Sequence, residues 1–116
     1  MNAQTNVRYI DVDRLCDEAE TAGLAWAAAK AAYEALNKTQ KSVLAKGTKD
    51  HMSAGTATNK AETLALADEG YVAFLKSMVA AGHAADRAKV IYEIKQTRIE
   101  LLRTNASTER AAMSMR

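Results

Sequence analysis

"NKAETLALADEGYVAFLKSMVAAGHAADRAKVIYEIKQTRIELL", residues 59–102, decides the fold. Leu64, Ala67, Tyr71, Phe74, Met78, Ala81, Ala85, Ala88, Tyr92, Lys95, Ile99 and Leu102 follow one another at alternating spacings of three and four. That period belongs to a helix laid lengthwise against another helix; a strand would alternate every second residue. A second run with the same period lies upstream, through Val12, Leu15, Ala19, Ala22, Trp26, Ala29, Tyr33, Leu36, Gln40 and Val43. The chain has no proline and few aromatic residues, so nothing forbids long uninterrupted helices and little supports a sheet. The expected fold is all-α: a long antiparallel helical hairpin, coiled-coil-like and oligomeric, in a single domain over residues 1–116.

Local signals set the expected bounds. In "YIDVDRL" Asp11 can cap a helix, Ile10 can staple onto Leu15, and Asp13 lies favourably in the first turn. The first helix is expected over about 11–45. The glycine-, serine- and threonine-rich "KGTKDHMSAGTAT", residues 46–58, reads as a mobile loop. A second start falls at Asn59, with Glu62 in the capping-box position, and opens a helix over about 59–104. Gly82 and His83 are the place where that helix would break, and a short tail follows it. At ~1.5 Å per residue the helices would measure about 50 Å and 70 Å. The longer would overrun the shorter, leaving Ile94, Ile99, Leu101 and Leu102 for a partner chain.

The net charge of +2 is too small to announce a polyanion partner, but its distribution is uneven. Residues 1–37 carry Arg8, Arg14 and Lys30 against six carboxylates, whereas residues 38–60 carry five lysines against Asp50 alone. Lys38, Lys41, Lys46 and Lys49 therefore form one candidate site for a phosphate backbone. The bland reading is a solubilising helix end that complements the negative end of the helix dipole.

A second candidate lies in "DRAKVIYEIKQTRIELLRTNASTERAAM", residues 86–113. On a wheel of about 100° per residue, Val90, Ile94 and Leu101 form one apolar stripe. Ile91, Leu102, Ala88, Ile99 and Tyr92 form another, with Arg87 and Arg98 between the two and Lys95 inside the second. On the outer face Lys89 with Glu93 and Glu100 with Arg103 can pair, and need no function. Arg87, Lys95 and Arg98 have no carboxylate three or four residues away. They must meet the carboxylates of another chain, snorkel to water, or contact nucleic acid. Ile91, Ile94, Ile99, Leu101 and Leu102 are the expected oligomer interface.

The chemistry of an enzyme is missing from the sequence. No glycine-rich phosphate loop opens a helix, and no nucleophile, base and orienter can be assembled. His51 and His83 lack metal-ligand spacing, so no metal or other cofactor is expected. Trp26, Tyr33, Tyr71 and Phe74 fall on the periodic faces and read as core, not as platforms for stacked bases. Cys16 stands alone, which fits a reducing cytosol. The amino-terminal "MNAQTNVRYI" has no secretory pattern and no apolar run approaches ~18 residues, so no membrane is expected.

The chain resembles the UvsY-like recombination mediators of T-even bacteriophages and similar small helical phage proteins. The likeness runs loosely from Asp11 to Arg103, through "NKAETLALADEGYVAFLKSMVAAGHAADRAKVIYEIKQTR" with the basic "NKTQKSVLAK" ahead of it, and "LLRTNASTERAAM" is also similar to the ends of such proteins. The resemblance implies a non-enzymatic homo-oligomer in the cytoplasm of a bacterial host. It would bind single-stranded DNA, help displace a single-strand-binding protein and assist loading of a recombinase. Lys41 and Lys46 are the nearest matches to the basic residues through which the family contacts DNA. The competing expectation is a coiled-coil adaptor or inhibitor, such as an anti-defence or assembly protein, whose mixed face binds a protein.

Overall fold

The computed structural model describes residues 3–115, with side chains from Val12 onward. The fold is an all-α helical hairpin of three helices: α1 (Ala3–Ser53), α2 (Thr58–Ala67) and α3 (Glu69–Ser114). It divides into two compact units that share the long helices. One is made of Met1–Ala27 with Asp86–Arg116, the other of Ala28–Ala85.

Both long helices outrun their expected bounds. Helix α1 is already helical at Ala3, so Asp11 is an interior residue and not a cap; the side chains of Asp11 and Ile10 lie outside the described residues. At its other end α1 continues to Ser53, through most of the stretch read as a mobile loop. The connection that remains is residues 54–57. Its signal was Gly55, whose φ of 99° suits a residue without a β-carbon. The Gly55 N–H donates to the Met52 carbonyl at 3.0 Å and the Thr56 N–H to the His51 carbonyl at 3.1 Å, which closes α1 as a Schellman motif. Gly47 did not end the helix because it is used inside it. A β-carbon there would stand 3.4 Å from Ala65 Cβ, in ordinary contact, so Gly47 marks the place where α2 packs on α1.

Helix α2 starts one residue before the expected Asn59. Ala57 occupies the cap position with no side-chain cap, and the Asn59 carboxamide instead accepts from the Lys60 N–H at 3.0 Å. The Asn59–Glu62 capping box is therefore not formed. The face is also rotated: Ala61 and Ala65 are buried, whereas Leu64 is 45% exposed. The break that resets this phase lies at Asp68, not at Gly82 and His83, where α3 is continuous. Asp68 ends α2 with ψ of 137°, and its carbonyl accepts the Val72 N–H at 2.9 Å to open α3. Its carboxylate takes a hydrogen bond from His51 Nε2, 2.9 Å from each oxygen, which ties the end of α1 to the break. Gly82 lies inside the helix with the Tyr33 ring filling the space beside it, where a β-carbon would stand 3.2 Å from the ring.

The core of the second unit is small. Ala61, Ala65, Ala85 and Tyr71 are buried, and Tyr71 alone among them is large. Its hydroxyl accepts from Gln40 Nε2 at 3.2 Å and its ring lies 6.4 Å from that of Phe74. In the first unit Ala19 and Ala22 are buried on α1, and Trp26 packs on Tyr92 of α3 with ring centroids 5.6 Å apart. Val12 and Cys16 line one apolar groove with Ile99 and Leu102. The expected overhang is corrected here: because α1 runs on to Ser53 and the turn comes later, Ile99 and Leu102 fall opposite Val12 and Cys16, while Ile91, Ile94 and Leu101 remain about half exposed. Beyond Thr104, where a tail was expected, α3 continues to Ser114, since "NASTERAAM" holds neither proline nor glycine.

Candidate nucleic-acid interface

The two basic sets lie in different units and have different surroundings. Lys38, Lys41, Lys46 and Lys49 all stand on α1 in the second unit, on unbroken helix. Helical geometry spaces Lys38 and Lys49 about 16 Å apart along the axis and confines the four to an arc of about 140°. All four are exposed, and none has an ion pair or side-chain hydrogen bond among the described residues. Glu34 and Asp50, spaced to pair with Lys38 and Lys46, do not do so. Lys41 and Lys49 border a shallow groove between α1 and α2 that also holds Thr48, Met52, Leu66 and Glu62, the last a carboxylate that limits an anion's approach from the α2 side. A rigid ridge of unpaired ammonium groups can hold a phosphate backbone without reading bases.

The second set is not a single patch. Lys95 Nζ donates to Glu18 Oε2 at 3.1 Å, and with a side chain 22% exposed it is a tie between α3 and α1. This removes Lys95 as a free candidate for a nucleic acid. The signal was present in the sequence: Lys95 holds a packing position of α3, and Glu18 adjoins the packing residue Ala19 on the helix expected to run antiparallel to it. The hydrogen bond from Lys95, then its charge, hold the Glu18 carboxyl below its ordinary range, aided by Arg14 and Arg98 and opposed by burial. Arg14 lies 3.9 Å from Glu18.

A carboxyl depressed in the folded state contributes stability that is present above its unfolded pKa and is lost as pH falls through the folded one. The melting temperature of the wild type is therefore expected to fall further, from neutral to acid pH, than that of Glu18→Gln. Parallel curves would remove the tie from the stability of this unit.

Arg87 and Arg98 are exposed and make no ion pair among the described residues. On the outer face Lys89 and Glu93 pair loosely at 3.9 Å, as their spacing suggested, with Lys89 Nζ also 5.9 Å from the Trp26 ring centroid. The expected pair of Glu100 with Arg103 is not among the ion pairs of the described residues. Among the described residues no group of three or more His, Cys, Asp or Glu side chains is placed to hold a metal ion, and no helix is long and apolar enough to cross a membrane.

No protein-family model, curated protein or solved structure matches this chain. The two surfaces themselves therefore carry the functional reading.

Proposed function

We propose that this chain is a non-enzymatic homo-oligomer that binds single-stranded DNA and serves as a recombination mediator or accessory protein, assisting a recombinase against a single-strand-binding protein. The observation that supports this reading is the row of four exposed, unpaired lysines on the unbroken end of α1. Lysines left without carboxylates on a rigid element suit a backbone contact that follows a strand regardless of its sequence. The UvsY-like resemblance points the same way through Lys41 and Lys46. Arg87 and Arg98 serve either as a further contact or as pairing groups inside the oligomer.

Fluorescence anisotropy of a labelled oligothymidine tests the proposal. Wild-type affinity is expected to fall steeply with salt. Lys41→Ala/Lys46→Ala should weaken binding and make the logarithmic salt slope shallower by about 1.4, which is ~0.7 for each phosphate that the two substitutions release. Unchanged affinity and slope in the double variant would discard this patch.

A second reading has its own observation. In the second unit α3 turns Val72 (38% exposed) and Val79 (54%) outward beside Leu75, Lys76 and His83, which form a shallow apolar groove. That surface suits a coiled-coil adaptor or inhibitor that binds a protein. Absence of DNA binding even at low salt would put this reading first.

A further inference from the structure

We propose that the second half of α3 pairs in parallel with the same segment of a second copy of this chain, in a register set by Arg87 and Arg98. The inference deepens the homo-oligomer part of the reading above and rests on it. Val90, Ile94 and Leu101 are 53%, 47% and 58% exposed, and they lie on the side of α3 away from Tyr92 and Ile99, which face α1. Spacings of four, three and four carry this outer row from Val90 through Ile94 and Thr97 to Leu101. It is a second heptad seam on a helix that has already used its first one. With Ile94 and Leu101 at a and Val90 at d, Arg87 is also an a residue.

The flanks of this seam have opposite signs. Asp86, Glu93 and Glu100 all fall at g, whereas Arg98 falls at e beside Ile91. In a parallel pair each g flank meets the e flank of the other helix, while in an antiparallel pair like flanks meet. Only the parallel arrangement therefore sets basic against acidic along both edges. The g-to-e′ offset of five residues joins Glu93 to Arg98 of the second copy, twice by symmetry. Arg87, at a, faces Arg87 of the second copy, and each turns out of the seam to Asp86 of the other copy, which offsets their repulsion. Arg87 and Arg98, neither of which makes an ion pair among the described residues although the Arg98 charge reaches Glu18, thus each gain a direct carboxylate partner, and the exposed row gains a cover. A nucleic acid would satisfy the arginines but would leave three large aliphatic side chains beside them in water.

Sedimentation velocity across a concentration series, with no DNA present, tests the pairing apart from the lysine patch. Arg98→Glu is expected to weaken association about tenfold, since both symmetry-related pairs become repulsions, and Glu93→Arg/Arg98→Glu to restore it. Val90→Cys in a Cys16→Ser background is expected to oxidise to a covalent dimer, because d residues of parallel partners face each other. A monomer at every concentration, an Arg98→Glu variant that associates like the wild type, or an associated Val90→Cys variant that forms no disulfide would each overturn the proposal. The lysine patch stands or falls separately, on the anisotropy measurement.

Discussion

Tyr71→Ala is expected to cost about 3 kcal/mol and to lower the melting temperature by about 15 °C. Tyr71 is the one large side chain among the buried residues of its unit; the others there are alanines. Truncation removes a ring from beside Phe74 and leaves Gln40 without the hydroxyl that accepts its hydrogen bond. The space that the ring leaves is refilled only in part by relaxation around it, so a cavity cost adds to the lost contacts. Tyr71→Phe separates the two effects: it keeps the ring, and its cost should be only about 1 kcal/mol. Thermal unfolding followed by circular dichroism decides the matter. A Tyr71→Ala protein that melts like the wild type would mean that the unit is held elsewhere.

Ala65→Leu should act through the opposite fault. Ala65 is 1% exposed, and a β-carbon placed on Gly47 would already stand 3.4 Å from its own β-carbon. Three added carbons have nowhere to go between α1 and α2, and overpacking of this kind costs about 2–3 kcal/mol. Because α2 is only ten residues long, the strain is expected to release it from α1 and leave the long helices helical. Hydrogen exchange should therefore quicken across residues 58–67 and change little in the middle of α1. Leu66→Ala is the control. Leu66 is 52% exposed, and its truncation should stay within about 0.5 kcal/mol. Equal protection of α2 in Ala65→Leu and wild type would show that the approach to Gly47 is not tight.

The two long packing faces were legible because period is a property of many residues at once. Ala19, Ala22, Tyr71 and Ala85 were all placed on the packed face by spacing alone, and all are buried. What escaped depended on single residues whose role is decided by a neighbour far along the chain. Gly47 looked like a breaker and is a contact point for Ala65, whereas Gly55 is the true terminator. Gly82 invited a break but faces the Tyr33 ring, and the interruption lies instead at Asp68. Asp68 is itself neither proline nor glycine, and Gly70, two residues on, reads as part of a continuous helix; the step there turned the face of α2 from Leu64 to Ala61 and Ala65. Lys95 lacked a carboxylate on its own helix and finds Glu18 on the other, 77 residues away. Of the candidate site, the lysines were legible as a cluster; their common support on one rigid helix was not, because the composition of residues 46–58 argued for a loop.

Alanine is a poor alignment mark. Where two helices meet through side chains of one shape, sliding one of them by a heptad brings a methyl group against another methyl group, and shape alone barely tells the two alignments apart. Beside the rings of Trp26 and Tyr92 and of Tyr33 next to Gly82, the information that selects one resides in the few bonds a slide would sever: Glu18 with Lys95 in one unit, Gln40 with Tyr71 and His51 with Asp68 in the other. Each counts for little as a source of adhesion, yet together they act as the address that tells the helices where to stop. Such a chain can lose its unique alignment well before it loses its helices.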